Sequence, residues 1–454
     1  MEKNQIERKA EIEVEFIDLS YEGMGVAKVD GFPIFVENAL PGEKGKIRIT
    51  RVSSRFAYGK LISLSEESED RLTVKDKDKV LNHTIPLQHL DYDRQLVFKA
   101  KLVKNLLAKE PFLDDIEVKD TIGVENPWHY RNKTMVPVRS NKKKMETGVF
   151  ENRSHRLIPV DNFKINLLGI DEIVIGVRDI LMEFNEKPYD EKTHTGNIRS
   201  IIVRMGYHTS EVMVIIVTRS KSLFPQSKII PAITEKFPTV VSIVHNINRE
   251  KTAEHLGSES KTIFGKDTYQ EIILEKIYDV SANSFLQVNT PQAERLYSIL
   301  IDCLELKGTE TVLDAYCGLG TIIFSIADQV KHVIGIELIE EAVSLARSNA
   351  EVNHIDNVEF LSGSVEDIIS TIDATFDVVI VDPPRKGLES DFITEVVNRN
   401  PEKIAYISCN PATLVRDLKL FVESGYSVNL IQPVDMFPQT VHVETVVLMS
   451  RVEK

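Results

Sequence analysis

From residue 281 to the end, the chain repeats one pattern: a short apolar run, then a segment long enough for a helix. The runs are "TVLDAY", "HVIGIEL", "VEFLSGS", "FDVVIVD" and "KIAYIS". Strands alternating with helical segments predict a parallel sheet covered by helices on both faces, a doubly wound fold. Such sheets bind ligands outside the carboxyl ends of their strands. The residues at the end of each run are therefore the first candidates for a site.

The earlier residues obey other rules. Residues 9–66 alternate in short stretches punctuated by Gly23, Gly25, Gly31, Gly42 and Gly45, which predicts a small antiparallel barrel. The charged segment "EESEDRLTVKDKDK" predicts a linker, and residues 92–109 carry helical apolar spacing. "NIRSIIVRMGY", "EVMVIIVTRS" and "TVVSIVHNIN" predict further strands. At 454 residues the chain exceeds one ordinary core. We expect three domains: an OB-like barrel over 1–66, a central α+β domain over 67–280, and a Rossmann-like doubly wound domain over 281–454. The whole is multidomain α/β.

The net charge of −14 would ordinarily argue against a nucleic-acid partner, but its distribution matters. Residues 281–454 hold 12 Lys and Arg against 26 Asp and Glu, so the remainder is neutral, with 43 of each sign. Within that neutral part lies "WHYRNKTMVPVRSNKKKMETGVFENRSHR". It offers Arg131, Lys133, Arg139, Lys142, Lys143, Lys144, Arg153 and Arg156 beside Trp128 and Tyr130. A stripe of this kind can contact phosphates while its aromatics stack on bases; a solvated loop is the plainer alternative.

"TVLDAYCGLGTIIFSIA" has the form of a strand, a glycine turn and a helix. Gly318 and Gly320 let the backbone approach a ligand closely. Ile323 stands where a dinucleotide fingerprint needs a third glycine, which weakens a pyrophosphate reading. Glu337 ends the next strand, where a carboxylate can accept hydrogen bonds from ribose hydroxyls. With Asp314 ahead of the loop, S-adenosylmethionine is favoured over a nucleotide.

"FDVVIVDPPRKGL" ends a buried strand in Asp382-Pro383-Pro384-Arg385, and the two prolines make a stiff wall. Methyltransferases acting on amino groups often carry an aromatic residue after the prolines; Arg385 stands there instead and favours other chemistry. "KIAYIS" then delivers Cys409 to the same rim, just before a helix expected near Pro411. A helix N-terminus makes a thiolate more available. Such a nucleophile is what carbon methylation of uracil requires. C5 is too weak a nucleophile until a thiolate adds to C6, and a base must later remove the C5 proton. Glu444 in "FPQTVHVETVVLM", flanked by apolar residues, is the candidate base, and His442 is the alternative.

Taken in order, these stretches resemble the TRAM-containing RNA uracil-5-methyltransferases, the family of the bacterial 23S ribosomal RNA enzymes. "SYEGMGVA" and "IFVENALPGEKGKIRI" resemble its barrel, and "LQHLDYDRQLVFK" and "WHYRNK" its central region. "SFLQVN", "LDAYCGLGT", "VDPPRKG", "ISCNPATLVRD" and "FPQTVHVE" resemble its catalytic domain. The resemblance implies Cys409 as nucleophile and Glu444 as base. It also implies Gln287, Tyr316, Glu337 and Asp382 as S-adenosylmethionine contacts; Gln287 and Tyr316 rest on it alone. Many relatives carry a four-cysteine iron–sulfur site. Here "LNHTIPLQHL" has no cysteine and Phe163 stands where another is expected, so no cluster is expected.

The expected activity is methylation of uridine C5 in 23S ribosomal RNA, at a domain II hairpin loop, a domain IV loop, or both. A transfer RNA enzyme of the same chemistry, a non-catalytic RNA-binding protein and an amino-directed methyltransferase are the alternatives. No metal site is expected. Three scattered cysteines, a charged start and no apolar run of 18 residues predict a cytoplasmic protein without a membrane span, expected as a monomer.

Overall fold

A computed structural model describes residues 6–141, 144–151, 154, 156–252 and 254–452. The chain divides into two compact units. One is Met1–Pro127 with Cys409–Val415 and Ile431–Thr445; the other is Trp128–Ser408 with Arg416–Leu430 and Val446–Lys454.

In the first unit, β1 (Glu11–Leu19), β2 (Gly25–Val29), β3 (Phe32–Glu37), β4 (Lys44–Val52) and β5 (Ala57–Glu66) close a barrel in the order β1-β2-β3-β5-β4. Alternate residues point inward, and Phe16, Ala27, Ile34, Val36, Ile47, Ile49 and Ala57 fill it. The expected barrel is present with one correction: β3 and β5 run parallel, with Ile34 opposite Ala57. Residue alternation identifies strands but carries no information on their order, and closure brings β5 in between β3 and β4. The expected helix comes next as α1 (Tyr92–Leu107), capped by Asp91, whose side chain accepts from the Asp93 amide.

The second unit opens with a seven-stranded sheet. It contains β6 (Lys133–Asn141), β7 (Lys144–Phe150), β8 (Leu157–Pro159), β9 (Ile198–Met205), β10 (Val212–Thr218), β11 (Val240–Ile247) and β12 (Glu259–Gly265). The order is β12-β11-β10-β9-β6-β7-β8, with α2 (Ile170–Glu183) and α3 (Gln226–Lys236) contributing Val177, Ile180, Ile229 and Ile233 to its core. Phe163 packs against that same core. A hairpin, β13 (Thr268–Ile273) and β14 (Lys276–Ser281), leads to α4 (Thr290–Leu304).

The alternating segments then appear in turn. They are β15 (Thr311–Ala315), α5 (Thr321–Ile326), β16 (His332–Glu337), α6 (Glu340–Val352), β17 (Val358–Ser362), α7 (Val365–Ile368), β18 (Val378–Val381), α8 (Ser390–Arg399), β19 (Lys403–Ser408) and α9 (Pro411–Glu423). The chain closes with β20 (Tyr426–Val434) and β21 (Glu444–Arg451). The sheet order is β17-β16-β15-β18-β19-β21-β20. Strands β15 to β19 pair parallel with one another. Connections run outward from β15 in one direction and then resume at β18 in the other. That reversal leaves a crevice at the carboxyl ends of β15 and β18.

The basic stripe is not a continuous exposed surface. Lys142, Lys143 and Arg153 lie outside the described residues. Arg139 is paired with Glu191 and Arg156 with Glu151, and Arg131 and Lys133 are drawn inward. Burial, with Arg204 and Arg131 nearby, pushes the Lys133 ammonium down to about 8. Among the described residues, no helix is long and apolar enough to cross a membrane.

Candidate active site

The crevice is lined by the turns at the carboxyl ends of β15, β16 and β18. After Ala315 the chain turns sharply at Tyr316, a non-glycine residue at φ +72°, where side chains rarely sit without functional or packing reasons. The Tyr316 and Cys317 amides both donate to the Ile336 carbonyl, at 3.0 and 2.9 Å. This fastens the turn to β16. Gly318 and Gly320 have φ +55° and +80°. A side chain at Gly318 would meet nothing within 4 Å, so the space beside this glycine is open to a ligand. Glu337 ties the loop down: its Oε2 accepts from the Gly318 amide at 3.1 Å and its Oε1 from the Ile339 amide at 2.8 Å. Each oxygen keeps a further lone pair for a donor such as a hydroxyl.

Two more carboxyls stand at the strand ends. Asp314 is fully buried, and neither of its oxygens has a hydrogen-bond partner. Burial, then the charges of Asp382 and Glu337, pushes it well above the usual carboxylate range. Asp382 continues β18 beside the end of β15, since Val381 pairs with Ala315. Desolvation pushes its carboxyl up to about 7, and among the described residues nothing donates a hydrogen bond to it. Buried polar groups normally have partners. Acceptors left open near a glycine turn that a side chain at Gly318 would not fill fit a ligand rich in hydroxyl and amine donors, as an adenosyl amino acid is. The Tyr316 ring meets Phe392 edge-on at 6.1 Å, and burial among Glu366, Glu389 and Asp417 pushes its phenol upward.

Gln287 is 6% exposed, and its position is fixed by residues that sequence reasoning did not single out. Asn132, from "WHYRNK", donates through Nδ2 to the Gln287 carbonyl at 3.0 Å and to Thr290 Oγ1 at 3.1 Å. Its amide donates to the Val288 carbonyl. Arg204 Nη1 donates to the carbonyls of Ser281, Ala282 and Ser284. Two residues of the central sheet thus hold the whole "SFLQVN" turn. The Asp382-Pro383-Pro384-Arg385 turn is held in a similar way. Buried Asp417 accepts from the Leu388 amide and from Tyr406 Oη, and Arg416 donates to the carbonyls of Lys386 and Leu388.

Cys409 directly continues β19 and is half-buried. Asn410 caps the helix after it, accepting from the Ala412 amide at 3.1 Å, so the expected helix start at Pro411 is observed. The other two cysteines differ. Burial pushes the Cys303 thiol up to about 11 and the Cys317 thiol well above its ordinary value, which keeps both protonated. Glu444 opens β21 at 3% exposure, and β21 is the sheet neighbour of β19. His442 is partly exposed and lies edge-on to Phe437. Among the described residues no group of three or more His, Cys, Asp or Glu is arranged to hold a metal.

Comparison with known proteins identifies the family. Residues 6–62 match the TRAM domain, and residues 257–452 match the tRNA (Uracil-5-)-methyltransferase family. An Enterococcus faecalis protein named an uncharacterized RNA methyltransferase is 45% identical over 454 residues, 99% of each chain. One of the same name from Lactiplantibacillus plantarum is 44% identical over 97% of each. The crystal structure of Pyrococcus abyssi tRNA (uracil-54, C5)-methyltransferase with S-adenosyl-L-homocysteine superposes with a TM-score of 0.80 at 28% identity. It covers 96% of this chain and 100% of its own. The chain therefore belongs to the TRAM-containing family of RNA uracil-5-methyltransferases, enzymes that draw their methyl group from S-adenosylmethionine.

Proposed function

We propose that the chain forms 5-methyluridine in 23S ribosomal RNA, with Cys409 as nucleophile and Glu444 as general base. The observation that carries this reading is the pair of strand ends. A half-buried thiol continues β19, and a buried carboxylate opens the neighbouring β21. Gln287, Tyr316, Glu337 and Asp382 would hold S-adenosylmethionine, which when bound supplies an electrophilic methyl group. The Cys409 thiolate adds to C6 of the target uracil, and the C5=C6 electron pair moves toward O4 as an enolate. C5 then accepts the methyl group and carries both it and its original hydrogen. Glu444 takes that proton, the C5=C6 bond re-forms, and the C6–S bond breaks to return the thiolate.

A transfer RNA substrate is the second reading. It is favoured by one observation: the Pyrococcus abyssi enzyme is named for transfer RNA, and it matches 96% of this chain. A barrel alone does not separate the two substrates. The test is to map 5-methyluridine in ribosomal and transfer RNA from a strain lacking the gene, restored with the wild type or with Cys409→Ala. Loss at one or two 23S positions, recovered only by the wild type, is expected. Loss confined to transfer RNA establishes the second reading, and unchanged maps overturn both.

A further inference from the structure

The stretch "LQHLDYDRQLVFK" has no part in the chemistry above, yet it supplies two fully buried polar side chains of the first unit. Gln95 and Lys99, one turn apart on α1, are both 0% exposed. Both face the segment that runs from β20 to Glu444. Lys99 Nζ donates to Asp435 Oδ1 at 2.5 Å and to the Phe437 carbonyl at 3.1 Å. Tyr92 Oη donates to the other Asp435 oxygen at 2.8 Å. Gln95 and Gln439 form a reciprocal pair: Gln95 Nε2 donates to Gln439 Oε1, and the Gln439 amide donates to Gln95 Oε1, each at 3.0 Å. The Leu87 amide donates to the Gln439 carbonyl at 3.1 Å.

These contacts do more than fill space. Gln439 has φ +70°, a left-handed conformation that a non-glycine residue keeps only where its surroundings over-determine it. Here three hydrogen bonds to its amide, carbonyl and side chain do so. Beyond it the chain has five residues to reach Glu444, and Thr440 and His442 are joined by a further bond from the His442 amide to Thr440 Oγ1. The barrel closes the same segment from another side. A Cβ at Gly23, itself at φ +73°, would stand 2.8 Å from Val441 and 3.0 Å from Leu87. Burying a lysine and an aspartate together is at best neutral for stability compared with apolar residues of the same shape. The pair therefore calls for a reason other than stability.

We infer that Gln95 and Lys99, through Gln439 and Asp435, are positioning residues that set the placement of Glu444 for removal of the C5 proton. The inference rests on the reading of Glu444 as the base. Proton abstraction needs hydrogen-bond reach, and a displacement of about 1 Å costs about 10²-fold. Thiolate addition and methyl transfer occur earlier and do not require it.

The test is a rapid-quench experiment with an RNA oligonucleotide that the wild type methylates and with methyl-labelled S-adenosylmethionine. It tracks formation and decay of the labelled covalent protein–RNA adduct. Lys99→Met/Asp435→Asn removes both charges, so neither is left buried alone, and Gln95→Met removes the pair with Gln439 and the bonds to the Leu87 and Leu90 carbonyls without touching a charge. Glu444→Gln runs beside them. Expected are adduct formation near the wild-type rate, unchanged S-adenosylmethionine affinity, and adduct decay slowed about 10-fold to 10²-fold. Formation and decay slowed in equal proportion would mean a merely structural role and overturn the inference. So would wild-type decay in the clamp variants while Glu444→Gln stalls, which leaves the base reading intact. Wild-type decay in Glu444→Gln removes the base reading and the inference with it.

Discussion

Asp382→Asn should abolish a pH dependence that the wild type ought to show in cofactor binding. Asp382 lies at the carboxyl end of β18 with its acid pushed up to about 7, so its charged fraction changes steeply where most carboxylates have long been ionised. With that value, about 10% is ionised at pH 6, about 50% at pH 7 and about 90% at pH 8. A ligand donor that selects the carboxylate must pull off the remaining proton, so affinity rises with pH, by about ninefold from pH 6 to pH 8. At pH 7 binding should release about half a proton per site. Titration calorimetry with S-adenosylhomocysteine, repeated in buffers of different ionisation enthalpy, measures both quantities. Asparagine has nothing to titrate, so the variant's affinity should be weaker at pH 8 and its proton release near zero. Asp314 lies at the end of the adjacent β15, and burial with the charges of Asp382 and Glu337 pushes its carboxyl upward as well. If the wild-type affinity is flat, or Asp382→Asn keeps the slope, Asp382 is not the acceptor and the open carboxyl has another purpose.

Cys409→Ala should abolish methylation while leaving S-adenosylhomocysteine affinity within about twofold, because in the proposed mechanism the thiol adds to uracil and does not hold the cofactor; turnover by this variant would remove the covalent route. RNA carrying 5-fluorouridine at the target should trap the wild type in a denaturant-stable adduct, since fluorine replaces the proton that the proposed base, Glu444, would take. His89 offers a test of stability. Burial, and then Arg71's charge, pushes it down to about 4 from an ordinary 6.5. The unfolded chain therefore binds a proton that the folded one refuses, and stability is lost as pH falls from 6.5 through 4, by about 3 kcal/mol in total. Denaturant titrations of His89→Phe should lack that part of the acid limb; an unchanged limb would place the acid sensitivity elsewhere.

The sequence disclosed features that recur at short range. The runs that became β15 to β19, the glycine turn between Asp314 and Glu337, and the helix start after Cys409 all arise from local composition and spacing. Long-range partners left no such trace. Asn132 reaches Gln287 and Arg204 reaches Ser281 across intervals with no period, so each looked like one polar residue among many. The hairpin of β6 and β7 was hidden by its charges. Lys133, Arg139 and Lys144 suggested a phosphate-contacting stripe or a solvated loop, whereas alternate positions Thr134, Val136 and Val138 are buried. The parallel pairing of β3 with β5 was equally out of reach, because alternation is the same whichever neighbour a strand takes.

Lys99 and Asp435 stand 336 positions apart in the chain, and this spacing governs the order of events during synthesis. The helix bearing Lys99 is made long before the segment bearing Asp435. Its buried ammonium lacks this counterion until Asp435 has emerged. Long-range contacts of this kind form late and slowly. A ribosome that stops early, or a protease that trims the carboxyl end, would leave a lysine that must stay in water and a helix face that cannot close. Such fragments would be recognisable by their exposed α1 and selected for degradation.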